Sequence, residues 1–148
     1  MSLHYEVVFS LFLRDDTPSG VLDELRWQLG LSTQKPDACA IDYEWPQMRP
    51  NEPSYLPGGE VAMLRRQYRY SRSGVEHHAW GLYVREFWLD DHWVAAWLRV
   101  AAWLAPYADG DGYAGFFREE QDEQPSLLFV RGGQPYVCGF GQKPQAFS

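Results

Sequence analysis

Hydrophobic and polar positions change period several times along the chain, and each change marks an element. His4 to Arg14 is a nearly unbroken run of Val, Phe and Leu ending at Asp15-Asp16, which predicts a strand buried on both faces inside a sheet. Thr17-Pro18 then offers an N-cap with proline at the first helical position, Val21, Leu22, Leu25 and Leu29 recur at helical spacing, and Gly30 is placed to terminate. A helix from about Pro18 to Leu29 follows. From Glu60 to Tyr70 the pattern alternates, Leu64, Arg66, Tyr68 and Tyr70 opposing Met63, Arg65, Gln67 and Arg69, before Ser71-Arg72-Ser73-Gly74 turns the chain. Glu76 to Leu89 alternates again, with Trp80, Leu82 and Val84 opposing Gly81, Tyr83, Arg85 and Phe87, so the two runs predict a β-hairpin.

Asp90-Asp91 reads as the cap of a second helix from His92 to about Ala105, stopped by Pro106. The order of the first unit thus recurs: a long apolar strand, an Asp-Asp pair, an apolar helix. Tyr113 to Glu119, Leu127 to Arg131 and Gln134 to Cys138 supply further strands, the last two joined at Gly132-Gly133. The order β-α-insert-β-β-α-β-β-β predicts an α+β domain spanning residues 1 to 148. Its expected core is a ferredoxin-like (split βαβ) antiparallel sheet with two helices on one face, extended by a C-terminal β-hairpin.

Residues 31 to 59 break this regularity. They hold five of the ten prolines, together with Tyr43, Trp45, Tyr55 and Gly58-Gly59, and so predict an irregular insert; its aromatics and Ile41 give it reason to pack against the domain. The second helix needs such a cover. Trp93, Trp97, Val100 and Leu104 form one stripe and Val94, Leu98, Ala101 and Ala105 the next, together a wider arc than one sheet face covers. Covering by the insert and first helix is expected, with a homodimer as the alternative.

Composition narrows the function classes. The formal charge is −7 at pH 7, which makes nucleic acid and anionic lipid poor partners, since both draw affinity from Lys and Arg on phosphates. Only residues 60 to 89 are basic, with five arginines against three glutamates. Cys39 and Cys138 are too few for a disulfide framework and have no metal-type spacing. The residues from Met1 lack a basic region followed by an apolar core, and no apolar run reaches the roughly 18 residues of a membrane span. A cytoplasmic protein without a membrane role is expected, and eleven Arg to two Lys hints at a GC-rich bacterial genome.

Candidate chemistry is sparse. His77-His78 lie side by side on a strand, where neighbours face opposite ways, so one metal ion does not take both. No HxH, HExxH, phosphate-cradling glycine loop or nucleophile elbow occurs, and no metal or cofactor is expected. Asp109-Gly110-Asp111-Gly112 lacks the later ligands of a calcium loop and reads as a turn. Asp15-Asp16 and Asp90-Asp91 read as helix-start acids. The sharpest group is Arg65, Arg66, Arg69 and Arg72 interleaved with Tyr68 and Tyr70, because guanidinium forks and aromatic faces together hold carboxylates, phosphates or acidic protein segments. The plain alternative is a solvated face balancing the acidic insert and the Glu119 to Glu123 loop. Two functions remain. One is a non-enzymatic binding or interaction domain holding a protein partner or small anionic ligand through Arg65, Arg69, Tyr68, Tyr70, Trp45 and Tyr55. The other is a small metal-independent enzyme with His78 or His92 as acid or base in a pocket between sheet and insert.

Overall fold

A computed structural model describes the backbone of residues 4–139 and 145–146, and the side chains of these residues outside 90–95 and 145–146. The strands are β1 (His4–Arg14), β2 (Val61–Arg72), β3 (Val75–Leu89), β4 (Gly112–Glu119), β5 (Ser126–Arg131), β6 (Gln134–Gly139) and β7 (Gln145–Ala146). The helices are α1 (Ser19–Gln28) and α2 (Asp90–Leu104), the latter followed by a single 3-10 turn at Ala105–Tyr107. All strands join one sheet in the order β2-β3-β1-β4-β5-β6-β7, and every neighbouring pair is antiparallel. The domain is therefore a mixed α+β structure. Its first strand sits inside the sheet, as the apolar run requires.

Pairing fixes which side chains share a face, because residues directly opposite one another point the same way. Phe9 lies opposite Val84, Leu11 opposite Leu82 and Leu13 opposite Trp80, and this face carries the core. Trp97 of α2 is fully buried on it, stacked on Phe9 with ring centroids 5.5 Å apart and edge-on to Phe117 at 4.8 Å. Arg26 of α1 lies over the Trp80 ring on the same face, 5.5 Å from its centroid. Leu25 of α1 and its C-cap Leu29 join Val100, Ala101 and Leu104 of α2 in the same buried cluster.

The helix starts differ from expectation. Pro18, not Thr17, is the N-cap of α1, and no side-chain cap is made. The Thr17 hydroxyl instead donates to the Arg14 carbonyl at 2.6 Å, closing the turn that leaves β1. Asp15 is drawn away by Arg66 and Asp16 by Arg14. The second helix begins at Asp90, two residues before His92, with Leu89 as its N-cap. Ion pairing across the turn outcompetes capping because a bidentate guanidinium fork satisfies a carboxylate better than a single backbone N–H.

Between α1 and β2 the chain forms no helix or strand, yet two buried side chains of α1 tie it down. Glu24 accepts the N–H groups of Ala40 at 2.6 Å and Ile41 at 3.0 Å. Gln28 donates to the Ile41 carbonyl at 2.9 Å and accepts from the Gln47 N–H at 2.9 Å, while Met48 N–H bonds the Gln28 carbonyl at 2.9 Å. A segment without secondary structure must find partners for its buried backbone groups elsewhere, and these side chains supply them. Ile41 and Met48 enter the core as a result. Tyr43 packs against the same cluster and accepts a hydrogen bond from Arg99 of α2, so this segment reaches across to the second helix.

Candidate functional site

The face of the sheet opposite the helices carries a cleft of about 500 Å³. Ser10 and Phe12 of β1 line it, with Met63, Arg65, Gln67 and Arg69 of β2, Gly81 and Tyr83 of β3, and the Asp109–Gly112 turn leading into Tyr113. Gly81 sits opposite Arg65 on one side and Phe12 on the other. Lacking a side chain, it leaves a hollow in the floor, into which the Gln67 amide oxygen and the Phe12 ring edge reach. Met63, Tyr83 and Tyr113, 46%, 38% and 48% exposed, give the walls apolar area that water does not favour. Burial pushes the Tyr113 phenol up from its ordinary pKa, and the nearby Tyr83 adds to the shift, so the Tyr113 hydroxyl stays a protonated donor at neutral pH.

The arginines divide by partner. Arg66 points away from the cleft and grips Asp15 with two bonds of 2.7 and 2.9 Å, a contact that holds the Asp15 carboxyl below its usual range. Arg69 lies in the cleft, its guanidinium 3.9 Å from the Phe12 ring centroid and 3.0 Å from Asp109. Arg65 has no ion pair or hydrogen bond among the described residues. The expected balance against the acidic insert and the Glu119–Glu123 loop is not what forms. Asp15 and Asp109, from the two helix-flanking turns, are the partners instead.

A β-bulge explains why Arg69 shares the cleft while the tyrosines scatter. Tyr68 pairs with His78 and Tyr70 with His77, so Arg69 is the extra residue of β2. Because His77 and His78 face opposite ways, the bulge puts Tyr70 on the other face from Tyr68 and corrects the simple alternation that grouped them with Arg66. Tyr68 meets His78 edge-on at 6.0 Å, and Tyr70 stacks on His77 at 4.7 Å. Neither tyrosine lines the cleft, and Tyr55 packs on Phe87 at 5.1 Å outside it. The side chain of His92 lies outside the described residues.

Trp45 helps to line a second cleft, of about 470 Å³, between the end of β3 and residues 45–52. Its inner wall carries Glu86, Trp88 and Gln47. Glu86 is only 1% exposed, and burial pushes its carboxyl up to about 8, against the opposing pull of a hydrogen bond from Trp88. The indole Nε1 donates to Glu86 Oε2 at 2.7 Å. Among the described residues no histidine lines either cleft and no cluster of three metal-ligating side chains occurs.

Sequence reasoning missed Phe12, Tyr83, Tyr113 and Asp109 in the first cleft and Glu86 and Gln47 at the second. Phe12 and Tyr83 read as ordinary alternating strand residues, and Asp109 as a turn residue. Only the strand order brings them together. Compared with known proteins, the chain matches no family model, no curated protein and no solved structure. Among the described residues no helix is long and apolar enough to cross a membrane.

Proposed function

We propose that the protein is a non-enzymatic binding domain holding a small anionic ligand with an apolar or aromatic body in the open-face cleft. The observation that carries this reading is Arg65, a cation without a carboxylate partner among the described residues, lining the same cleft as Gly81, over whose missing side chain only the flexible Gln67 amide and the Phe12 ring edge lie. A guanidinium presents a planar donor fork that fits a carboxylate or phosphate. Tyr83 and Tyr113 supply hydroxyl donors and ring faces around it. Arg69, already neutralised by Asp109, shapes the wall instead of anchoring charge.

The fold suits this role. We read β1-α1-β2-β3-α2-β4 as a ferredoxin-like unit with both helices on one face, which the sheet order β2-β3-β1-β4 supports, with residues 31–59 inserted after its first helix. Such a unit leaves the other sheet face free for a ligand. His78, edge-on to Tyr68 away from both clefts, gives the acid-base alternative no geometric support.

Titration with 2-naphthoate and with its neutral isostere 2-naphthamide tests the proposal. Naphthoate should bind the wild type, naphthamide at least about tenfold more weakly, and Arg65→Gln should erase the difference. Equal binding of both compounds, or full naphthoate binding by Arg65→Gln, rejects it.

A further inference from the structure

The second cleft stands on the opposite face of the sheet and contains an unmet requirement of its own. Glu86 Oε1 and Gln47 Oε1 are both buried and have no hydrogen-bond partner among the described residues, and both residues line this cleft. Buried carboxyls are ordinarily paired with a cation or fully hydrogen-bonded, because desolvating one otherwise costs several kcal/mol. Glu86 has only the Trp88 indole on its second oxygen. Both Oε1 atoms leave hydrogen-bonding capacity unmet in one cleft, and once Glu86 is ionised both are acceptors that a donor-rich occupant satisfies.

We infer that this cleft binds a small primary alkylammonium ion, whose N–H groups satisfy Glu86 Oε1 and Gln47 Oε1 while its alkyl chain lies along Trp45. Three features select this class. The ammonium carries three donors and a charge that complements the carboxylate. Trp45, 69% exposed and so open to an entering chain, offers a ring face that attracts a cation as well as apolar area. A metal ion lacks ligands here, since no three metal-ligating side chains gather among the described residues.

The surrounding charges leave Glu86 as the deciding group. Arg49 and Glu52, both exposed, line the cleft with opposite charges, and Glu60 repels a second negative charge on Glu86. Without the ligand Glu86 stays protonated to about pH 8. Binding of the cation favours the carboxylate, so one proton passes from Glu86 to solvent for each ammonium bound below that pH.

The test is titration of the full chain with butylammonium chloride, with butan-1-ol as the uncharged comparison, following the Trp88 indole N–H by NMR. Butylammonium should shift that resonance saturably and bind at least about tenfold more tightly at pH 8.5 than at pH 6.5. Glu86→Gln should reduce affinity at least tenfold at pH 8.5 and remove the pH dependence. Gln47→Met, which leaves the carboxyl intact, should weaken binding by a smaller factor and keep the pH dependence. Absence of binding by the wild type, equal binding of butan-1-ol, or unchanged affinity in Glu86→Gln overturns the inference. Should Glu86→Gln not fold, unchanged affinity in Gln47→Met together with no pH dependence in the wild type does so.

Discussion

Glu24 on α1 accepts the backbone N–H of Ile41, seventeen residues further on, at 3.0 Å in a buried site. With its other oxygen on the Ala40 N–H, this one carboxylate replaces the ladder partners that an irregular segment lacks. Glu24→Ala would strand two donors, one of them fully buried, and each such loss costs roughly 1–3 kcal/mol. The expected destabilisation is about 2–4 kcal/mol in urea unfolding, with faster proteolysis confined to residues 31–59. A Glu24→Ala protein with wild-type stability and cleavage pattern would contradict this role.

Glu86 makes stability depend on pH in a stated direction. Its carboxyl titrates near the ordinary 4.5 when unfolded and at about 8 when folded, so the folded state holds the proton more tightly. The contribution is fully present below about pH 4.5 and is lost as pH rises to about 8. Wild-type stability should therefore decline across that interval relative to Glu86→Gln, which keeps the neutral shape and has no proton to lose. Parallel stability curves for the two proteins from pH 5 to 8.5 would show that Glu86 is not the group responsible.

Gly115 lies at the irregularity between β4 and β5, with φ of +142° and a Cβ position only 2.1 Å from the Val8 carbonyl oxygen. That oxygen is backbone in the centre of the sheet and has nowhere to go. Gly115→Ala should cost roughly 2–4 kcal/mol, at the upper end of ordinary point substitutions. Thermal unfolding would register it as a fall in Tm of several degrees, and an unshifted Tm would disprove the close approach.

Gly81 offers the opposite case. Its Cβ would meet chiefly the amide end of Gln67, a flexible group able to swing outward. Gly81→Val should therefore fold with nearly wild-type stability, helped by the strand preference of valine, while filling the cleft floor and abolishing naphthoate binding. Retained binding with intact folding would place the ligand elsewhere.

Much of the fold was legible in the pattern of residues. β1 runs from His4 to Arg14 as its apolar run predicts, and α1, β3 and β4 lie within two residues of expectation. These elements are strongly periodic and bounded by Gly, Pro or Asp, so local preference and tertiary packing agree. The hairpin was visible too, but its tight turn is Ser73-Gly74, both at positive φ, so β2 continues to Arg72. Arg65 and Arg69 both line the first cleft, but the alternation that grouped them is broken by the bulge at Arg69 itself. A bulge is set by partner strands and leaves little trace in one strand's sequence.

What the sequence determined by itself was the list of elements, their order and the acidic, arginine-centred distribution of charge, because these depend on neighbours three or four positions apart. The tertiary structure alone decided which charges were cancelled. Arg66 and Asp15 are separated by 51 residues, and Arg69 and Asp109 by 40, and only the sheet order brings either pair together. It likewise decided that Arg65 keeps no such partner among the described residues and that Glu86 lies on the helix-covered face. Pairing and burial are long-range properties of a folded surface, and no local period encodes them.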